Sequence, residues 1–564
     1  MPAIQFDRFY TYAEIEGLLF AYQSEYPDLV AVESIGKSHE GRDIWLVTLT
    51  RKSTGGPLTK PGYWCDANIH ASELSTSTAI LHILHTLTRV ASNEIEPTQP
   101  WMANILDTHT FYLVPRLNPD GAEWAMENPP RLIRSSTRPY PYLDPEPEGL
   151  ERKDIDGDGL ILSMRIVDSN GAWKVSEHDP RMLERRQPWE TGGTYYRIIA
   201  EGELHQYDGM TIRARPTPQG LDLNRNFPSA WRPENEQYGA GDYPTSEPEV
   251  RAGVQAIVDR PNICGGVAFH TFSGVHLRPS SRKPDDELPA EDIWAFKSFG
   301  TAAKDLTGYP AISNYHEFRY HPKEVITGVF DDWMYEHRGV YAWTTEIWSP
   351  QRQAGITDYK YIDWFREHPI EDDLLMLKWN DEKLGGKGYH DWRPFDHPQL
   401  GPVEIGGWDA SYAFRNPPPD FLEAEVAPFV EWVTWMAAAS PRLVERELRV
   451  EKVGESVWRV RWAVQNAGWL PTAVTKHAQQ KKLCRGVRAQ ISGGEGNWLL
   501  AGKPRQDAGQ LTGRSHITAG GFSGGLDATT DVALFDWTIA QPGTYQLEAT
   551  HERAGTITKT VTIA

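Results

Sequence analysis

Short apolar runs alternate with helix-patterned stretches along the first 440 residues. The strand candidates are rich in β-branched and aromatic residues and are bounded by turn signals, at 44–49, 62–67, 110–115, 265–269 and 339–344. Residues 72–88 repeat apolar side chains at helical spacing, and residues 421–438 form a second predicted helix that ends before Pro441. This alternation predicts an α/β layered domain over residues 1–440.

After residue 440 the apolar positions follow the period of strands. Alternating segments at 448–453, 457–464, 531–539, 545–551 and 556–563 are separated by Gly, Asn and Pro turns, and we predict no helix among them. Residues 441–564 are therefore predicted to form a smaller all-β sandwich. Two stretches rich in Pro, Arg and Glu, at 129–151 and 391–419, are predicted to be long surface excursions.

Charge supports the division into two units. Residues 441–564 hold 16 Lys/Arg and 11 Asp/Glu, a net charge of +5. Since the whole chain has a net charge of −20, residues 1–440 carry −25. A balance this acidic argues against nucleic acid as a partner and suits basic ones.

Three features of the composition bear on the compartment. The three cysteines are too few and too scattered for a disulfide framework or a cysteine zinc site. The first residues contain no basic leader followed by an apolar stretch, and no run approaches 18 apolar residues. We expect a soluble, cytoplasmic protein without a membrane partner, and export by another route stays open.

An HxxE motif at His70 and Glu73 lies where a predicted buried strand ends and a helix begins. Such a turn can aim an imidazole nitrogen and a carboxylate at one point, and zinc accepts both. His270, at the end of another strand, would complete a set with an open fourth position, as catalytic zinc sites have. Taken singly, HxxE is common by chance, and His270 could be a core histidine.

Further motifs in a fixed order strengthen this interpretation. In chain order they are RLNPDG at 116–121, RLIR at 131–134, LDLNRNF at 221–227, SEPE at 246–249, His270, DDW at 331–333 and TTEI at 344–347. Together with HxxE, the series resembles the zinc carboxypeptidase family that includes the pancreatic A and B enzymes, over roughly residues 6–348. The resemblance implies a mixed twisted sheet with helices on both faces, one Zn²⁺ per chain and a peptide substrate.

The resemblance also implies a role for each matching residue. His70, Glu73 and His270 would be the zinc ligands, and Asp222 would orient the first histidine. Glu346 would be the general base that takes a proton from water and passes it to the leaving amine. The remaining matches are Arg134, which would stabilise the oxyanion, and Asn224 with Arg225, which would bind the terminal carboxylate of the substrate. For the two arginines, surface ion pairing is the alternative.

The same alignment predicts which C-terminal residue is preferred, and it shows two departures from the family pattern. Asp331 falls at the base of the side-chain pocket, where an acid favours C-terminal Lys or Arg, as in enzymes of the B type. The family's substrate-covering tyrosine has no clear counterpart, since the alignment reaches Lys323 in the segment His321-Pro322-Lys323 and the nearest tyrosine is Tyr320. Ser72 replaces an arginine in the HxxE turn, so one accessory substrate contact is expected to be missing.

The interval between Arg134 and Asn224 is much longer than in the pancreatic enzymes, which predicts an insertion at about 135–220. It contains Asp154, Asp156 and Asp158 in the pattern of the first half of a calcium loop. The twelfth position is Arg165 instead of Glu, so calcium would need an acid from elsewhere, such as Glu151 or Asp168. The alternative is a solvated acidic turn.

Hydrolysis of the last peptide bond is the main functional hypothesis. A related alternative is an amidase that acts on γ-linked cell-wall peptides. From another class, the chain could be a non-catalytic protein that binds peptides through the cleft, or glycans through its C-terminal unit, although the intact set of site residues argues against this.

Overall fold

The computed structural model describes residues 2–141, 147–321, 323–515 and 528–564. The strands of the α/β part and its insertion are β1 (Val30–Lys37), β2 (Asp43–Leu49), β3 (Gly62–Ala67), β4 (Thr110–Val114), β5 (Gly149–Arg152), β6 (Ser163–Val167), β7 (Trp173–Val175), β8 (Leu183–Arg185), β9 (Tyr196–Ala200), β10 (Gly202–His205), β11 (Ile263–Thr271), β12 (Val275–Arg278), β13 (Ala311–Ser313), β14 (Tyr341–Ile347), β15 (Tyr389–His397) and β16 (Gly401–Trp408). The C-terminal strands are β17 (Leu443–Gly454), β18 (Val457–Asn466), β19 (Val487–Ser492), β20 (Leu499–Ala501), β21 (Arg505–Gly509), β22 (Val532–Ile539), β23 (Gly543–His551) and β24 (Gly555–Ile563). The α-helices are α1 (Tyr12–Glu25), α2 (Ser75–Ala91), α3 (Ile105–Thr108), α4 (Pro119–Ala125), α5 (Pro248–Val258), α6 (Ala290–Thr307), α7 (Asn314–Glu317), α8 (Phe330–Trp333), α9 (Pro350–Gln353), α10 (Tyr361–Trp364), α11 (Ile370–Lys383), α12 (Pro419–Val426), α13 (Pro428–Ala438) and α14 (Lys476–Lys481).

An eight-stranded mixed sheet, in the order β1-β2-β4-β3-β11-β14-β12-β13, forms the centre of the α/β part. Its middle strands β4, β3, β11 and β14 are parallel to one another, and the outer pairs include antiparallel contacts. Every residue of β3 and β11 is buried. Because successive side chains of a strand point to opposite faces, both faces of the sheet must be covered. The predicted mixed sheet between helices is confirmed.

The predicted helices are present with one correction. The first is α2, whose buried side chains pack on β3 and β11. The second, predicted as one helix over 421–438, is two helices, α12 and α13, because Pro428 cannot donate the backbone hydrogen bond that would continue α12. Both halves contribute to the main core, which includes Leu422 and Trp432.

A second sheet joins the insertion to a later part of the chain. Its six strands run in the order β15-β16-β6-β9-β7-β8 around a small core that includes Met164 and Ile405. The prediction that residues 391–419 form a surface excursion is therefore wrong, since β15 and β16 lie there. Both strands are only half-buried, so their side chains do not give the apolar alternation of a core strand.

Two four-stranded antiparallel sheets, β17-β18-β22-β20 and β21-β19-β23-β24, form the C-terminal part and enclose one apolar core. This confirms the all-β sandwich, but α14 contradicts the prediction that no helix is present. The two parts are in close contact. The buried carboxylate of Asp292 accepts hydrogen bonds from Tyr335, Tyr341 and the backbone N–H groups of Lys476 and His477. Among the described residues no helix is long and apolar enough to cross a membrane.

Candidate active site

The predicted site residues converge at the carboxyl ends of three adjacent parallel strands, the edge where open α/β sheets bind ligands. His70 follows β3, His270 lies near the end of β11, and Glu346 lies beside it on β14, where the two residues are partners in the strand register. Asn68 opens the turn after β3 in the left-handed conformation, with φ 58°, and its side-chain amide donates to the carbonyl of His70 at 2.7 Å. The turn thus fixes the direction in which His70 leaves the sheet.

His70, Glu73 and His270 form a compact, buried donor set. The Nδ1 atoms of the two histidines are 3.0 Å apart, Glu73 Oε1 is 2.9 Å from His70 Nδ1, and Glu73 Oε2 is 3.3 Å from His270 Nδ1. Tetrahedral ligands at roughly 2.0–2.1 Å from zinc lie about 3.3 Å from one another. Burial opposes ionisation of Glu73, but the two histidines hold its pKa well below the ordinary value. Two nitrogens and one carboxylate group at this spacing fit Zn²⁺.

Asp222 connects this donor set to Arg134. Its Oδ1 lies 3.1 Å from His70 Nε2, and its Oδ2 accepts from Arg134 Nε at 3.0 Å. The first contact occupies the nitrogen of His70 that faces away from Glu73, which leaves Nδ1 for a metal. Burial raises the pKa of Asp222, but Arg134 and Arg225 outweigh burial and hold it well below the ordinary value. Asp222 is therefore an anion that fixes both a histidine of the donor set and an arginine.

The carboxyl group of Glu346 faces the same space as these ligands. Burial, together with the charge of Glu73, raises its pKa to about 7, although His270, Arg134 and Arg415 act in the opposite direction. No hydrogen bond or ion pair to another described residue holds this carboxyl group. A carboxyl group of this kind has the basicity that a general base needs near neutral pH.

A pocket beside the donor set contains the residues predicted to bind the C-terminal residue of a substrate. It is lined by Arg134, Asn224, Arg225, Asp331 and Glu346, among others. The side-chain oxygen of Asn224 accepts from the backbone N–H of Phe330 at 2.9 Å, so its NH₂ group is the one left to serve a ligand. Asp331 is buried and accepts from Asn314 at 2.7 Å, and burial raises its pKa to about 6. The three residues predicted to bind the C-terminal residue of a substrate, Asn224, Arg225 and Asp331, therefore line one cavity.

One tyrosine is among the described residues that line this pocket. Tyr320 lines this pocket and is 56% exposed, whereas Lys323, the residue reached by counting along the chain, is exposed and is not among the lining residues. Pro322, in the segment His321-Pro322-Lys323 that the alignment reaches, lies outside the described residues. Tyr320 is thus the tyrosine that the fold brings to the pocket.

The calcium prediction gains no support. Asp154, Asp156 and Asp158 do lie close together, but the guanidinium of Arg393 on β15 contacts Asp156 and Asp158 and supplies the positive charge that a cation would bring. The two acids suggested to complete a calcium site form other ion pairs. Glu151 pairs with His205 and Arg215, and Asp168 pairs with Arg197. The acidic turn, which lies between β5 and β6, forms ion pairs with an arginine of the second sheet.

Sequence reasoning missed one residue at the centre. Arg415 follows β16, and its Nη1 lies 3.8 Å from Glu73 Oε1, the oxygen that Arg134 Nη1 approaches at 3.5 Å. The only available signal was the absence of an arginine at Ser72, which leaves room for a cation from elsewhere in the chain.

Comparison with known proteins identifies the family. A family model described as zinc carboxypeptidase matches residues 15–367, more than half of the chain, and a domain family of unknown function matches residues 442–562. The chain therefore belongs to the zinc carboxypeptidase family, as the motif series predicts.

The relatives that match share only parts of their length with this chain. Carboxypeptidase B of Astacus astacus is 32% identical over 165 residues, which are 29% of this chain and 44% of that protein. Carboxypeptidase A2 of Rattus norvegicus is 34% identical over 116 residues, 21% of this chain and 25% of that protein. The crystal structure of carboxypeptidase A from Helicoverpa armigera superimposes with a TM-score of 0.41 and 16% identity, covering 77% of this chain and 73% of that one. The chain thus aligns with less than half the length of the two curated relatives.

Proposed function

We propose that the chain is a zinc metallocarboxypeptidase that removes the C-terminal residue of peptides. The observation that carries this proposal is the convergence of His70, Glu73 and His270 with Glu346 and Arg134 around one cavity. A donor set for zinc, a half-buried base and a fixed cation are the parts that hydrolysis of an amide bond requires.

Each residue then has a task that follows from its position. Zinc, held by His70, Glu73 and His270, would act as a Lewis acid toward water and the substrate carbonyl. Glu346 takes the proton from the attacking water and delivers it to the leaving amine. Arg134, held by Asp222, stabilises the negative charge that develops on the carbonyl oxygen.

The terminal carboxylate of the substrate would be bound by Asn224 and Arg225. Arg225 is held in place, since its Nη1 donates to the carbonyl of Asn224 at 2.7 Å and its Nη2 lies 3.6 Å from Asp222 Oδ2. A fixed guanidinium suits a carboxylate because both are planar and can form paired hydrogen bonds. This clamp would restrict cleavage to the last peptide bond.

Incubation of the zinc-loaded protein with a peptide library, read by mass spectrometry, tests the proposal. Loss of single C-terminal residues, abolished by a zinc chelator and restored by Zn²⁺, is the expected result. Internal cleavage, or no turnover by a metal-replete sample, would contradict it.

We further propose a preference for C-terminal Lys or Arg. Asp331 is the buried carboxylate of the side-chain pocket, and an ionised carboxylate there favours a cationic side chain. Arg319 lines the same pocket and would act against a cation, so it provides a matched comparison. Asp331→Asn should lower kcat/KM for Lys relative to Leu, whereas Arg319→Gln should raise it. An unchanged ratio in Asp331→Asn would reject the preference.

An amidase that acts on γ-linked cell-wall peptides is the second candidate. A cleft of about 1700 Å³ adjoins the site and is lined by strands of the second sheet and by loop residues such as Ser72 and Phe272, which follow β3 and β11. A cleft of this size would accommodate a bulky acyl group. Cleavage of muropeptides in the presence of ordinary peptides that remain intact would favour this candidate.

A further inference from the structure

The segment that carries Arg415 is fixed against the HxxE turn. Asn416 donates to the carbonyl of Ser72 at 2.8 Å and accepts from the backbone N–H of Ser75 at 3.0 Å. Asn416 is buried, so both bonds are protected from water. The position of Arg415 relative to the zinc ligands is therefore set by two hydrogen bonds from the adjacent residue.

The guanidinium of Arg415 is held on one side and open on the other. Its Nη1 donates to the carbonyl of Thr271 at 3.5 Å and lies near Glu73, while the group sits 5.2 Å from the centre of the Phe272 ring. A guanidinium has five N–H donors, and among the described residues only Nη1 has a polar contact. The side chain is 35% exposed and lines the large cleft. Arg415 thus presents free donors to whatever occupies that cleft.

The cleft and the pocket divide the site into two halves. The pocket contains Asn224, Arg225 and Asp331, and Arg134 lines both cavities. If the C-terminal residue fills the pocket, the rest of the substrate must leave through the cleft, past Arg134 and Arg415. Arg415 therefore lies on the acyl side of the scissile bond.

The charge of the cleft is opposite to that of the α/β part as a whole. Its described lining residues include seven Lys/Arg and four Asp/Glu, although residues 1–440 carry a net charge of −25. A cationic cavity with low-polarity walls concentrates anions. In a peptide, the anion available at this position is a carboxylate.

We propose that Arg415 binds a substrate carboxylate on the acyl side of the scissile bond, so that the protein prefers an acidic residue immediately before the residue that is removed. This inference rests on the proposed carboxypeptidase function. The carboxylate has two chemical sources, the side chain of an α-linked Asp or Glu and the free α-carboxylate of a γ-linked Glu. Arg415 is a specificity residue in either case.

Two matched substrate pairs test the inference with the full, zinc-loaded chain. The first pair is acetyl-Glu-Lys and acetyl-Gln-Lys, and the second is γ-Glu-Lys with its α-carboxylate free or amidated. In at least one pair we expect kcat/KM to favour the carboxylate by roughly tenfold or more, the usual size of a hydrogen bond to a charged group. The pair that discriminates identifies the source of the carboxylate.

Variants separate binding from structure. Arg415→Gln should reduce the ratio to near one, Arg415→Lys should retain part of it, and Arg449→Gln, an exposed arginine of β17, should leave it unchanged. Zinc content, measured by elemental mass spectrometry, should stay at one per chain in all variants. A ratio near one in the wild type for both pairs, or an unchanged ratio in folded Arg415→Gln, would overturn the inference.

Failure of the inference can be told apart from failure of the proposed function. If the Gln peptide is hydrolysed as fast as the Glu peptide and the second pair shows no difference, only the role of Arg415 is wrong. If no peptide is hydrolysed, the function is wrong, and calorimetric binding of the same pairs to Glu346→Gln still decides the inference. Equal Kd values within both pairs would reject it, and tighter binding of a carboxylate that depends on Arg415 would support it.

Discussion

Replacement of Asp222 by Asn should weaken zinc binding without unfolding the protein. The two oxygens of Asp222 face donors on both sides, His70 Nε2 with the backbone N–H of Asn224 on one side and Arg134 Nε on the other. The Asn side chain has one acceptor oxygen and one NH₂ group, which only donates, so one side always faces a mismatched partner. If the NH₂ group faces His70, Nε2 of that ring must accept its hydrogen bond, and the ring proton moves to Nδ1. A protonated Nδ1 cannot bind a metal.

The size of the effect follows from the loss of this orienting anion. Removal of such a partner costs roughly 10–100-fold in metal affinity, or about 1.4–2.8 kcal/mol at 1.4 kcal/mol for each factor of ten. If the amide turns the other way, Arg134 loses its anchor, and kcat falls through poorer stabilisation of the oxyanion. Either orientation of the substituted amide therefore impairs the site.

Competition with a chromogenic chelator at pH 7.5 measures the zinc Kd, and kcat/KM on the best library peptide measures the second effect. Asp107→Asn is the matched control, since Asp107 pairs with Arg51 at 2.5 Å just before the amino end of β4, the opposite edge of the sheet. A zinc Kd within about threefold of wild type, in a folded Asp222→Asn protein with unchanged kcat/KM, would refute this account of Asp222.

Three further outcomes are expected. Glu346→Gln should lower kcat by roughly 10²–10⁴-fold with zinc content unchanged, and a variant that keeps a tenth of the activity would exclude Glu346 as the base. The preference for Lys over Leu should decline as the pH falls from 8 to 5, because burial raises the pKa of Asp331 to about 6 and the neutral form no longer attracts a cation; a ratio independent of pH would contradict this. Asp292→Ala should lower the free energy of unfolding by roughly 3–5 kcal/mol, because two buried tyrosine hydroxyls and two part-buried backbone N–H groups, from both parts of the chain, lose their acceptor. Urea unfolding measures the loss, with Asp305→Ala at an exposed position as the control, and a loss under about 1 kcal/mol would contradict this expectation.

The cluster of His70, Glu73 and His270 could be predicted from the sequence because its residues lie at or after the ends of strands with strong local signals. β3 and β11 are short, fully buried and largely apolar, so the positions of His70 and His270 after or near their ends could be predicted without knowledge of the tertiary structure. Asp222 and Arg134 could be identified as site residues only from the ordered motifs, because the turns that contain them show no regular alternation of apolar and polar residues.

Arg393 and Arg415 could not be predicted for a common physical reason. Each acts on residues more than 200 positions away, Arg393 on the acidic turn and Arg415 on Glu73, and no local periodicity reports such a contact. Arg393 lies on β15 and Arg415 follows β16, and both strands are half-buried. β15 also contains Pro394, and a proline within a run argues against a strand prediction. The same weakness of signal led to the incorrect prediction of a surface excursion at residues 391–419.

These contacts bear on how much of the chain the site requires. The family match ends at residue 367, but α13 lies beyond it and packs against the sheet, where the Phe429 ring is 5.4 Å from that of Phe269, next to His270. Asn416, also beyond the match, holds the HxxE turn through Ser72 and Ser75. A protein cut at residue 367 would expose the core face of β11 and release the turn that positions two zinc ligands. The matched segment is therefore only part of the unit that folds, and the centre depends on chain that the family model does not include.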